Sequence, residues 1–145
     1  GWILDPLTGR LCHALLGGGS HIDGQAVRAK ESGGDLPVAA LAVYFMTAEE
    51  RADIQRRAEG AFAVVDIPRC AAEQYPRLVL GQNDVSVFAR TLPWDHAAGT
   101  LFVNEAGGCC QRLDGTPYVI GDLRRGLLGA SSPRLWDQAA RQLFG

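Results

Sequence analysis

The chain is short of lysine and methionine and has no long apolar run. Lys30 is the only lysine among 14 basic residues, against 16 acidic ones, for a net charge of −2. No stripe of clustered basic residues emerges, which excludes the electrostatic footprint of a nucleic-acid binder. No apolar segment approaches the roughly 20 residues that cross a bilayer, and the opening residues do not read as a secretory leader. The four cysteines, Cys12, Cys70, Cys109 and Cys110, show no C-x-x-C spacing, and adjacent cysteines such as the last two rarely pair with each other. Free thiols in a reducing cytoplasm are the expectation.

What is present is ordinary for a globular protein: 145 residues, 47% hydrophobic and 21% charged. That is one domain's worth, or one domain plus a piece of another. The chain opens at Gly1 without Met, directly in the strand-like Trp2-Ile3-Leu4, which reads as the interior of a longer protein.

The first 30 residues predict an antiparallel meander. Residues 2–4 form a strand, Asp5-Pro6-Leu7-Thr8-Gly9 a turn, and residues 10–16 the returning strand. Gly17-Gly18-Gly19-Ser20 breaks it, Asp23-Gly24 marks a hairpin, and residues 25–29 make the third strand. A polar stretch over residues 30–37 is the boundary, separating residues 1–30, the last strands of an incomplete antiparallel sheet, from an α/β domain over 31–145.

Beyond it strands and helices alternate. Residues 38–45 are a continuous apolar run, as in a strand buried on both faces. Thr47-Ala48-Glu49-Glu50 is a capping box opening a helix to about residue 59. Strand 61–66, helix 70–80 and strand 84–88 follow. Pro93 opens a helix that Gly107-Gly108 stops. Short strands at 108–112 and 127–130 flank the turn Leu113-Asp114-Gly115-Thr116, and Ser132-Pro133 starts a last helix to about residue 143. The fold class is therefore α/β: an antiparallel meander, then a mostly parallel sheet flanked by helices.

The most informative stretch is Trp94-Asp95-His96-Ala97-Ala98-Gly99, followed by Asn104-Glu105-Ala106-Gly107-Gly108. Ala97, Ala98, Leu101, Phe102 and Ala106 fall at helical spacing, and Ala97, Ala98 and Gly99 keep one side thin for close packing. Asp95 lies in the first turn, where it either caps the helix or projects into a cleft and holds a hard cation.

Pro93-Trp94-Asp95-x-Ala97-Ala98-Gly99 with Glu105-Ala106-Gly107-Gly108 resembles the C-terminal signature of the inositol monophosphatase family. The resemblance extends to Gly1 through Pro6, to Gly17-Gly18-Gly19-Ser20 and Asp23-Gly24, and to Cys70-Ala71-Ala72, which matches a small Ser/Thr-Ala-Ala segment opening a helix. It implies a layered α-β-α-β fold and a magnesium-dependent, lithium-sensitive type of phosphomonoesterase, often homodimeric, acting on a small phosphorylated metabolite. By the same resemblance Asp95 is a Mg²⁺ ligand, and Cys70, Ala71 and Phe88 lie at the substrate.

Two departures matter. The family's other metal carboxylates sit in a Glu-Glu pair and an Asp-Pro-Ile/Leu-Asp-Gly-Thr motif earlier in the chain. Asp5-Pro6-Leu7-Thr8-Gly9-Arg10 is only superficially like the second, and it reads as the turn of the meander. So this chain resembles the C-terminal part of such an enzyme, contains no catalytic residue of its own beyond the metal-binding acid, and is expected to be inactive alone. Seven residues before Asp95, inositol-specific members carry a Glu; Phe88 stands there and cannot accept a hydroxyl hydrogen bond, which argues against inositol phosphate. Arg69 replaces a usual Gly and is placed to meet an extra anionic group.

The remaining polar residues read as structural. His96 is expected to turn away from Asp95 and be hydrogen-bonded. Neither His13 nor His21 has a partner at metal-ligand spacing, Cys109-Cys110 fill space, and Gly17-Gly18-Gly19 lacks the Lys-Ser/Thr of a phosphate loop. Glu105, at a helix carboxyl end, is expected to bond a neighbouring loop. The competing function is a non-catalytic ligand- or partner-binding module in which Asp95 only caps its helix.

Overall fold

A computed structural model describes all 145 residues, 1–145. Strands β1 (Trp2–Leu4), β2 (Leu11–Leu15), β3 (Gly19–Ile22) and β4 (Gln25–Val27) form an antiparallel sheet in that order. The meander thus has four strands, one more than expected. Gly17 takes φ 73° in the tight β2–β3 turn, but Gly19 already pairs with Leu15 and Ser20 with Ala14, so the glycine-rich break is only the turn and β3 begins inside it. Asp5 does sit in the β1–β2 turn, its carboxylate accepting from Leu7 N at 2.9 Å and Thr8 Oγ1 at 2.6 Å.

The larger sheet contains β5 (Val38–Ala42), β6 (Ala63–Val65), β7 (Val85–Phe88), β8 (Cys109–Gln111) and β9 (Leu127–Ala130), in the order β6-β5-β7-β9-β8. It is mixed: β5 pairs parallel with β6 and β7, whereas β7–β9 and β9–β8 are antiparallel. β5 ends at Ala42, short of the apolar run's end, because Val43 through Met46 turn away to open α1 (Ala48–Ala58). The Thr47 capping box forms as expected.

Helices α1 and α4 (Pro133–Phe144) cover one face of this sheet through Ile54, Ala58, Leu135 and Trp136. Helices α2 (Ala71–Val79) and α3 (Pro93–Glu105) cover the other, and the four-stranded sheet packs on them through Cys12 and Ala14. Four layers result, α-β-α-β. Each large buried side chain such as Phe102 contributes on the order of 1.5–3 kcal/mol of apolar burial.

Close α2–α3 contact depends on Gly99, where an added Cβ would lie 1.9 Å from the Tyr75 ring. The thin side of the helix anticipated from Ala97, Ala98 and Gly99 is thus used. At the other end of α3, Gly107 (φ 91°) donates to Asn104 O at 3.1 Å and Gly108 to Val103 O at 3.0 Å, the paired bonds of a Schellman stop.

Candidate functional site

Strand β5 leads through α1 to β6 on one side and, after α2 on the opposite face, the chain returns to β7 on the other side. Such a reversal leaves a crevice beyond the carboxyl ends of the parallel strands. A cleft of about 460 Å³ occupies that place, and Cys70, Ala71, Phe88 and Asp95 all line it. The four residues expected at metal and substrate therefore come together, from three different elements.

Asp95 occupies the third position of α3, and its N–H donates to Leu92 O at 3.0 Å. The N-cap is Leu92, which offers no side-chain cap. Among the side-chain hydrogen bonds and ion pairs of the chain, none involves the Asp95 carboxylate, which is half-buried on the cleft wall. It does not cap. The helix amino end favours its charge by about 0.3–1 kcal/mol without any partner.

Cys70 is the exposed N-cap of α2 and makes no side-chain cap either. The first amides of α2 therefore have no acceptor from helix or cap, and they open toward the cleft beside Ala71 and Ala72. Two helix amino ends thus converge on one crevice.

Phe88 forms the floor. It is 3% exposed, stacks on Tyr75 at 5.2 Å and meets the edge of His96 at 4.9 Å. His96 is buried, as a structural histidine should be. Its Nε2–H donates to Arg90 O at 2.9 Å, which leaves Nδ1 to accept from the Tyr75 hydroxyl at 2.6 Å. Burial lowers its pKa, keeping the ring neutral. Although bonded away from Asp95, the ring also borders the cleft.

Sequence reasoning overlooked several lining residues. Arg90 and Tyr44 leave no local signal, because only the tertiary turns bring them to the rim. Gln74, 2% exposed, borders the cleft, and its buried Oε1 has no hydrogen-bond partner. Arg112 lies buried nearby: its Nη1 donates to Thr91 Oγ1 at 2.9 Å and Arg124 O at 2.7 Å, fixing the turn that precedes α3. Arg69 has φ 54°, a backbone conformation that glycine adopts easily.

Elsewhere, Glu105 accepts from Gly17 N at 2.9 Å and Gly19 N at 3.0 Å, the loop contact expected of it. Those amides hold its carboxyl below the usual range. Burial raises the thiols of Cys110 and of Cys109, the latter to about 11, so both are inert space-fillers. No three His, Cys, Asp or Glu side chains gather anywhere as a metal site, and no helix is long and apolar enough to cross a membrane.

The inositol monophosphatase family model matches residues 1–144. The chain belongs to the inositol monophosphatase family. An inositol-1-monophosphatase of Bacillus subtilis (strain 168) is 26% identical over 127 residues, covering 83% of this chain and 46% of that protein. The extragenic suppressor protein suhB from Bartonella henselae superposes with a TM-score of 0.86 at 20% identity, over 99% of this chain and 56% of that one. An inositol monophosphatase from Zymomonas mobilis gives a TM-score of 0.85 at 17% identity, over 99% of this chain and 56% of that one. At such identities the structural likeness establishes the fold. The chain spans about half the length of these relatives.

Proposed function

We propose that these residues form the substrate-facing part of a magnesium-dependent phosphomonoesterase that hydrolyses a small phosphorylated metabolite. One observation carries this reading: in a chain of this family, Asp95 holds an unpartnered carboxylate on a cleft where two uncapped helix amino ends converge.

Mg²⁺ takes oxygen ligands and is commonly held by one or two carboxylates with waters and substrate phosphate. Asp95 fits as one such ligand. No other acid lines the cleft, so on this reading further carboxylates come from chain outside these residues, and the 145 residues alone turn nothing over. When bound, the cation neutralises phosphate charge and lowers the pKa of a coordinated water.

The chain's own residues bind and orient. The opening amides of α2, from Cys70 and Ala71, hold an anionic oxygen. Phe88 meets the body of the substrate with an apolar face and offers no acceptor to a ring of hydroxyls, which disfavours inositol phosphate. His96, neutral and bonded to Tyr75 and Arg90, keeps that floor and the first turn of α3 in place.

The test is phosphate release by the full-length protein carrying this chain, with Mg²⁺ and a panel of sugar, inositol and nucleotide phosphates. Asp95→Asn should lower turnover at least about a hundredfold, as loss of a directly acting charge does. Undiminished turnover would remove Asp95 from the site. Ligand binding without release from any ester would favour a non-catalytic module.

A further inference from the structure

Two arginines stand at the cleft with no acid to neutralise them. Arg69 lies over the Tyr44 ring, its Cζ 4.7 Å from the centroid, and its Nε donates to the Tyr44 hydroxyl at 3.0 Å. Arg90 lies over the Phe45 ring with Cζ at 3.8 Å. Tyr44 and Phe45 are consecutive residues of the turn after β5, and all four side chains line the cleft. Eight other arginines, at positions 10, 56, 57, 77, 112, 124, 125 and 134, pair with carboxylates. Arg28, Arg51 and Arg141 do not, and of the arginines lining the cleft neither Arg69 nor Arg90 does.

Stacking occupies the face of a guanidinium and leaves in-plane N–H donors free, here the two Nη groups of Arg69, whose Nε is taken by Tyr44, and the full fork of Arg90, the geometry that grips a carboxylate or phosphate bidentately. The cleft's sole carboxylate, Asp95, and the phosphate of an ester account for each other through a bound cation. Two fixed positive charges then remain on the wall. Phe88 lines the same cleft with an apolar ring, so the body of a ligand there need not be rich in hydroxyls.

We propose that the substrate carries a second anionic group, a carboxylate or a second phosphate, gripped by Arg69 and Arg90. This rests on the phosphatase reading of the cleft and specifies the class of ester it takes. Tyr44 and Phe45 act as positioning residues, holding the two guanidiniums by their faces.

Matched ligand pairs test it with the full-length protein: 3-phosphoglycerate against glycerol 3-phosphate, and fructose 1,6-bisphosphate against fructose 6-phosphate. Phosphate release is measured with Mg²⁺, and binding is measured by calorimetry with the corresponding phosphonates, which cannot be hydrolysed as esters. The member with the second anionic group should, in at least one pair, bind at least about tenfold tighter, the contribution of a charge-assisted hydrogen bond. The pair with the larger gain identifies the second anion. In the double variant Arg69→Ala, Arg90→Ala that ratio should fall to about one, through KM rather than kcat. Equal binding of both members in both pairs overturns the proposal. So does a double variant that weakens both members alike, because the arginines would then hold the ester phosphate itself. A preference without phosphate release from any ester keeps the anion site and ends the hydrolase reading; release without a preference does the reverse.

Discussion

At the carboxyl end of α3, Glu105 accepts from the Gly17 and Gly19 amides, and Gly107 and Gly108 close the helix with two backbone bonds. At its amino end Asp95 accepts from no side chain or loop, and Leu92 supplies no cap. The helix dipole opposes an acid at the first place and favours one at the second. Glu105 therefore needs partners to be there, has them, and fastens the meander to the helix. Asp95 needs none and its oxygens stay available. Two acids on one helix, ten residues apart, illustrate how a carboxylate that fastens a loop differs from one left without a partner.

The largest effect is expected midway between the ends. Gly99→Ala places a Cβ in the Tyr75 ring and should cost about 3 kcal/mol, read from urea unfolding, since neither helix can withdraw without opening the core. It would loosen both ends together. A loss under about 1 kcal/mol would mean that α2 and α3 separate easily and that the cleft is not rigidly framed.

His96→Phe comes next. It leaves the Tyr75 hydroxyl and Arg90 O without their partner, for a loss of about 1–3 kcal/mol. In the wild type, burial depresses the folded pKa of His96 below its ordinary 6.5. Its neutral form is the one the fold accommodates, so this stability is fully present above 6.5 and is lost as the pH falls through the folded value. Unfolding at pH 7.5 and 5.5 should show that slope in the wild type and a smaller one in the variant.

Glu105→Gln is milder. The amides of Gly17 and Gly19 hold the folded carboxyl below its ordinary 4.5, so its contribution exists above that value and disappears as the pH falls through the folded one. The stability difference between wild type and variant should shrink between pH 6 and 3. A difference independent of pH would show that the charge is not what binds the loop.

Smallest of all on stability is Asp95→Asn, under about 1 kcal/mol, the dipole contribution alone. If it instead costs as much as His96→Phe, the contrast between the two helix ends fails and Asp95 is structural.

Local chemistry made much of this legible. The Thr47 box, the Ser132-Pro133 start and the Gly107-Gly108 stop act within a few residues, and each forms as read. Strand β3 did not, because Gly17 to Ser20 have the composition of a break while backbone pairing decides where the strand begins. The apolar run 43–45 reads as more strand, yet Tyr44 and Phe45 line the cleft and only Val43 packs on the core. The directions of β8 and β9 are set by how the chain returns after α3, which no local pattern encodes. At the cleft, the placing of Asp95, Cys70, Ala71 and Phe88 together was legible through the family resemblance, whereas that of Arg90, Tyr44 and Gln74 follows only from their neighbours in space.

The backbone at Arg69 carries one more consequence. A side chain held at φ 54° costs on the order of 1–2 kcal/mol relative to a residue at ease there. Arg69→Gly should therefore yield a chain that unfolds at higher urea while losing a cation from the rim. If Arg69 grips a ligand as proposed, durability and recognition draw on the same residue in opposite directions, and a screen for sturdier variants would select against this arginine.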